Sequence, residues 1–351
     1  MGDMTSKRFF LQGMALVLGA ASLPAVAKGG VSFGPAGAPD WSMETWTALF
    51  RKAPKEHSFK GVFIVSMPNV SSVSSSRITH VVHKRDVIER IEALTGQQRI
   101  TYRRNAQATT VFPDAKIVRH EQLGAQGGVF PGAGDRFKAA SAHYRVAPGG
   151  RGRIAGFETY TVDFRPLDGW RFGYRVWSDV KTGLVLKLQT LGSDGSVIEQ
   201  SEFSELALDP AIKADALLAE MQRVPPGYKV VRSKAAVTTP AGEGWSVQDL
   251  PAGFEPVTCY KREPAKAHGW LQCVFSDGMA SVSIFLERYD PERHRQEGHM
   301  SMGATHTLVT RSVDANKTEW WATVVGEVPT TTLRGVLKAM ERLPGDKPAR
   351  P

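Results

Sequence analysis

Few residues of this chain stand at spacings that carry covalent or metal chemistry, and each such spacing sits in the wrong local setting. Gly30-Val-Ser-Phe-Gly34 spells the G-x-S-x-G of a nucleophilic serine. That chemistry needs the serine on a sharp turn between a strand and a helix. Here it lies in a Gly-, Ala- and Pro-rich stretch with neither. Gly150-Arg-Gly-Arg-Ile-Ala155 spells a dinucleotide fingerprint. It follows a Pro-Gly loop and leads into strand-like sequence, without the helix whose N-terminus would hold a pyrophosphate. His294 and His299 lack the spacing of a zinc-binding H-E-x-x-H. His80 and His83 lie three apart on a strand-like run and so face opposite sides. The expectation is a protein that is not an enzyme and that needs no cofactor and no metal. The two cysteines, Cys259 and Cys273, match no compact zinc pattern and have no second pair. They flank a turn-rich segment between two strand-like runs, so a disulfide staple is expected. In the chain-entropy account it contributes about 3 kcal/mol.

What remains is the chemistry of binding, and it depends on sheets. From Phe172 to Leu206 the chain reads as three antiparallel strands, with Phe172, Tyr174 and Val176 on one face and Leu184, Leu186 and Leu188 repeating the spacing. Side chains two apart share a face. Thr182-Gly183 and Asp194-Gly195 supply the positive-φ positions of the turns between them. A curved sheet with one apolar face can hold a core, a helix or an acyl chain. Candidates for a concave lipid-binding lining are Phe63, Val65, Tyr102, Phe112, Tyr160, Phe172, Tyr174 and Leu186. Arg103, Arg104, Arg171 and Arg175 are candidates for a charged rim, because guanidinium groups pair with phosphate and carboxylate in bidentate fashion. Any one of these side chains also fits an ordinary role in a core or a solvated sheet face.

The N-terminus carries an address. Lys7 and Arg8 precede an apolar run from Phe9 to Leu18, too short to span a bilayer, and Ala25-Val-Ala27 fits a small-x-small cleavage site. Residues 1–27 therefore read as a secretory signal, leaving an exported chain, periplasmic in a Gram-negative cell. The formal charge of the 351-residue chain is +9, and loss of Asp3, Lys7 and Arg8 leaves +8. Such a balance in the cytosol would suggest nucleic acid; export argues against it and favours acidic peptide segments or phosphorylated lipid. Residues 28–40 read as a disordered leader. A helix at Trp41–Arg51 and strands at Phe59–Ser66, Arg77–Lys84, Val87–Leu94, Gln98–Arg104, Thr109–Phe112, Lys116–His120 and Arg153–Arg165 lead into the three-stranded segment. A short helix is expected at Phe137–Val146. Residues 41–209 thus form one strand-dominated domain. Residues 210–243 read as a linker, with a helical piece broken at Val224-Pro-Pro-Gly227. Residues 244–345 form a smaller domain of five strands closed by a helix at Thr331–Leu343.

Several stretches resemble the MucB/RseB family: Tyr174-Arg-Val-Trp177 with Asp179, Thr182-Gly-Leu184 and Ile198-Glu-Gln200; Leu250-Pro-Ala-Gly-Phe254; Phe275-Ser-Asp-Gly-Met279 with Ser281–Phe285; and Thr323-Val-Val-Gly-Glu-Val-Pro329. Their order and spacing carry the resemblance across nearly the whole exported chain. It implies an α+β, mainly β protein, with a large unclosed β-barrel domain similar to lipoprotein carriers and a small antiparallel sheet domain with a C-terminal helix. It also implies a periplasmic negative regulator of an envelope-stress sigma factor. Such a protein binds the periplasmic part of a membrane-spanning anti-sigma factor of the RseA/MucA type and shields it from regulated proteolysis. Lipopolysaccharide or a related acyl lipid would displace it. The resemblance transfers no site residues and leaves a homodimer open. The alternative reading is a periplasmic carrier of lipid or lipoprotein.

Overall fold

The computed structural model describes residues 40–122, 140–232, 235–262 and 270–343. The expected signal, nearly all of the leader and the G-x-S-x-G match fall outside them. Helix α1 (Met43–Glu56) precedes eleven strands: β1 (Phe59–Met67), β2 (Ser72–His83), β3 (Asp86–Ala93), β4 (Ile100–Arg104), β5 (Gln107–Phe112), β6 (Ile117–Gln122), β7 (Tyr144–Ile154), β8 (Phe157–Pro166), β9 (Gly173–Asp179), β10 (Val185–Leu191) and β11 (Val197–Leu208). Helix α2 (Ala214–Gln222) and β12 (Lys229–Arg232) follow. Together the strands make one twelve-stranded sheet in the order β12-β6-β5-β4-β3-β2-β1-β11-β10-β9-β8-β7. The two outermost strands do not pair with each other, so the barrel is unclosed.

The local reasons for this sheet lie in its turns and its alternation. Gly183 and Gly195 take φ of +75° and +79° in the β9–β10 and β10–β11 turns, where a side chain would be strained. Asp179 Oδ2 accepts the Thr182 N–H at 2.8 Å and shapes the first turn. One face of the sheet carries Tyr160, Val162, Phe164, Tyr174 and Val176, and α1 lays Met43 and Trp46 on it. Farther along α1, Ala53 joins Phe59, Phe63, Ile78, Leu186 and Phe203. Ser42 caps the helix by accepting the Thr45 N–H at 3.2 Å. Helix α2 covers the opposite face, packing Ala214 and Leu217 on Val81 and Ile88.

The second sheet contains β13 (Ala236–Thr238), β15 (Glu255–Arg262), β16 (Trp270–Ser276), β17 (Ser281–Arg288), β18 (Gly298–Met302), β19 (Thr305–Val313) and β20 (Glu319–Gly326) in the order β13-β15-β16-β17-β20-β19-β18. Helix α3 (Thr330–Ala339) closes its core with Leu333 and Val336. Short β14 (Trp245–Val247) and β21 (Met340–Arg342) pair with each other. Cys259 on β15 lies opposite Cys273 on β16, and the two are bonded with Cα atoms 4.1 Å apart.

Three local expectations change. The C-terminal part of the helix expected at Phe137–Val146 is the start of β7: Tyr144 and Val146 pair with Pro166 and Phe164 of β8. A ladder that buries Phe164 completely outweighs a weak helical preference. The segment read as a linker is not a bare connector, since β12 runs parallel to β6 with Lys229 opposite Ile117. The last helix stops at Ala339, because Met340–Arg342 pair with β14.

Candidate functional site: the joint between the sheets

Arg171, just before β9, organises the joint. Its side chain is wholly buried and donates from Nη1 to Asp277 Oδ2 at 2.8 Å, forming a buried ion pair between the two sheets. Nε donates to Asp168 Oδ1 at 3.0 Å, and Nη2 donates to the Ala252 carbonyl. The guanidinium lies over the rings of Tyr144 at 5.7 Å and Phe254 at 5.4 Å. Asp277 sits in the turn between β16 and β17, where its Oδ1 accepts the N–H groups of Met279 and Ala280 at 2.8 and 2.7 Å. Burial pushes its carboxyl above the ordinary value, against the pull of Arg171 and of the two amides. Both charges need each other here, since an unpaired buried charge is strongly unfavourable.

Apolar and polar contacts extend the joint. Met279 of the small sheet packs into the Trp46–Phe164 cluster of the large one, and Trp170 packs back onto the small-sheet core. The Thr332 hydroxyl donates to the Trp170 carbonyl at 2.5 Å. Phe172 and Ile198 enclose Ala304, whose N–H donates to Glu199 Oε2 at 3.2 Å. A cavity of about 30 Å³ remains, lined by Phe63, Val65, Leu188, Thr190, Glu199 and Ser201 of the large sheet and by Glu327. That is room for about one water. Burial raises the Glu327 carboxyl to about 7, with the Glu199 charge adding to the effect, and burial raises Glu199 as well. Tyr144 and Tyr174 lie side by side with their rings 6.2 Å apart, and burial pushes both phenols well above their ordinary value.

The proposed lining residues do not share one surface. Phe63 and Val65 line the cavity, and Leu186 lies in the same core cluster as Phe63. Tyr160 and Tyr174 lie beneath α1. Phe172 belongs to the joint. Phe112 is buried with Arg119 over its ring at 5.2 Å. Tyr102 packs with Met221, in the last turn of α2, and with Tyr228 beyond it, and its hydroxyl donates to Glu220. Register and alternation put it on the face away from Arg103.

The four arginines sit in different surroundings. Arg103 and Arg171 are 2 % and 3 % exposed. Arg103 meets Glu89 Oε2 at 3.3 Å, and Glu89 Oε1 meets His80 Nδ1 at 2.8 Å, a charged row buried across β4, β3 and β2. His80 Nε2 contacts the Pro54 carbonyl at the end of α1, a group the helix itself leaves unbonded. Arg104 is more exposed but pairs with Asp86 at 2.6 Å. Arg175 is partly exposed and makes a forked pair with Asp163 at 2.7 and 2.9 Å. Carboxylates within the chain thus already occupy all four.

Sequence reasoning missed the two carboxylates, Glu199 and Glu327. The available signal was that each lies inside a stretch that carries the family resemblance. Tyr174, Ala252 with Phe254, Asp277 with Met279, and Glu327 come from the four quoted stretches, and the fold brings all four to the joint.

The comparisons with known proteins agree along the chain. The MucB/RseB N-terminal domain matches residues 42–221, and the MucB/RseB C-terminal domain matches residues 239–341. The sigma factor AlgU regulatory protein MucB of Pseudomonas aeruginosa is 26% identical over 297 residues, covering 83% of this chain and 88% of that one. The sigma-E factor regulatory protein RseB of Haemophilus influenzae is 20% identical over 284 residues, covering 81% and 86%. The Escherichia coli K12 RseB match is 25% identical over 206 residues and covers 57% of this chain and 60% of that one. The P. aeruginosa MucA/MucB complex structure holds a chain 25% identical to this one, with a TM-score of 0.66 over 86% of this chain and 99% of that one. On the two domain matches together, the chain belongs to the MucB/RseB family.

Proposed function

We propose that this chain works in the periplasm, after cleavage near Ala27, as a regulator that binds the periplasmic part of a membrane-spanning anti-sigma factor. Binding shields that segment from regulated proteolysis, and an acyl lipid such as lipopolysaccharide releases it. One observation carries the reading: both sheets align together with the MucB of the P. aeruginosa MucA/MucB complex. The architecture supports it physically. Strand β18, at one edge of the small sheet, has all five residues exposed, and an extended partner adds to such an edge through main-chain hydrogen bonds. A cleavage site held as an added strand is kept out of a protease.

The lipid arm of the reading has a structural requirement. The cavity at Phe63 and Val65 holds about 30 Å³, far less than an acyl chain needs. Uptake requires the joint or α1 to move, and that movement would couple lipid to partner. Burying a twelve-carbon chain is worth roughly 9 kcal/mol before ordering costs, which would offset part of the cost of opening the joint.

The test is calorimetric binding of the chain to the periplasmic segment of a membrane-bound anti-sigma factor, with and without lipopolysaccharide, alongside protease digestion of the segment. Binding that slows digestion and is lost with the lipid is expected. Absence of binding would sink the regulatory reading; equal binding with and without lipid would sink only the displacement step.

A further inference from the structure

We propose that Glu199 and Glu327 form a proton-operated latch between the two sheets: a proton held by the pair lets the joint close, and its loss drives the joint open. Three features of the geometry carry this. First, the two carboxylates come from different sheets, Glu199 from β11 and Glu327 from the residue after β20, and line one small cavity. Second, among the described residues neither forms an ion pair; Glu199 has the Ala304 N–H at 3.2 Å. Third, the other walls are Phe63, Val65 and Leu188 with the hydroxyls of Thr190 and Ser201, so nothing there neutralises a second negative charge. Like charges sharing one half-buried cavity cannot both ionise cheaply.

The groups packed around the pair do not supply the missing cation. Tyr174 of β9 faces it as a buried neutral phenol, and Glu327 is the largest charge acting on that phenol. Arg171 is bonded to Asp168, Asp277 and the Ala252 carbonyl. His306 of β19 lies opposite Gly326 with Nδ1 on Thr330 Oγ1 at 3.1 Å. Burial, with His299 beside it, holds His306 below the ordinary histidine value, so it does not offer a positive charge as Glu327 ionises.

The sign and size follow by linkage. In the closed joint Glu327 titrates at about 7, against an ordinary 4.5. The closed form therefore binds more protons. Its advantage is complete below about pH 4.5 and is lost as pH rises through about 7. With these two values the opening constant rises on the order of 70-fold between pH 5 and 8. The latch stands whether or not the partner and lipid readings hold.

The Ala304 amide reports the joint directly. Hydrogen exchange of the full chain, corrected for the intrinsic pH dependence, should show Ala304 protection falling at least tenfold from pH 5 to pH 8. Glu327→Gln should abolish the fall, and Glu199→Gln should reduce it. A smaller fall in the unsubstituted chain, or the same fall in Glu327→Gln, overturns the latch. Should Glu327→Gln fail to fold, carboxyl carbon-13 titration of the unsubstituted chain decides: a midpoint near 7 for Glu327 supports the latch and one near 4.5 overturns it.

Discussion

Replacing Asp277 by Asn tests whether the Arg171 ion pair holds the joint. Asn keeps the shape and the oxygen that accepts the Met279 and Ala280 N–H groups, so the turn survives. What disappears is a wholly buried carboxylate against a guanidinium that is itself wholly buried. Breaking such a pair costs about 3–5 kcal/mol. Arg171 retains Asp168, a partly exposed partner, and the Ala252 carbonyl, which places the expected loss near the lower end, about 3 kcal/mol. For a domain of this size that corresponds to a fall of about 6–12 °C in melting temperature. Urea unfolding followed by tryptophan fluorescence and by circular dichroism measures it. Arg171→Met alone should be costly in a pH-dependent way: Asp277, already above its ordinary value, then takes up a proton, so the penalty is smaller at pH 5 than at pH 8. The double variant Arg171→Met with Asp277→Asn leaves no wholly buried unpaired charge, since Asp168, which also loses Arg171, is partly exposed. It should lie about 2 kcal/mol above the sum of the singles. A cost under 1 kcal/mol for Asp277→Asn, or strict additivity in the double, would refute the reasoning.

Two further perturbations address the separate sheets. Gly183→Ala forces a Cβ to 2.3 Å from Leu49 Cδ1 at a φ of +75°; the Leu49 side chain or α1 must shift from the β9–β10 turn, and an expected loss of about 2–3 kcal/mol is read from the melting temperature, with no change excluding that contact. Reducing the Cys259–Cys273 bond, which spans a sequence separation of 14, should cost about 3 kcal/mol. Hydrogen exchange should then rise in β15 and β16 while the β1–β11 ladder stays protected, and uniform loosening of both sheets would count against a local staple.

The order of the strands was legible where the information is local. Alternation from Phe172 to Leu206 and the glycines at positions 183 and 195 specify strands and turns, because side-chain period and positive φ depend on a few neighbouring residues. Tyr144 and Val146 were misread although most of β8 was expected within Arg153–Arg165, because their pairing with it is not written in their own neighbours. Charge is the harder case. Arg103, Arg104, Arg171 and Arg175 look alike in the text, yet Arg103 and Arg171 are buried while Arg104 and Arg175 reach solvent. The difference is where their carboxylates fall: Glu89 and Asp277 are themselves buried. Arg171 and Asp277 stand 106 residues apart. Strand character, turn positions and family membership were thus carried by the order of residues alone. The joint, its ion pair and the facing carboxylates of Glu199 and Glu327 exist only once two sheets pack, because desolvation and Coulomb repulsion depend on distance through space.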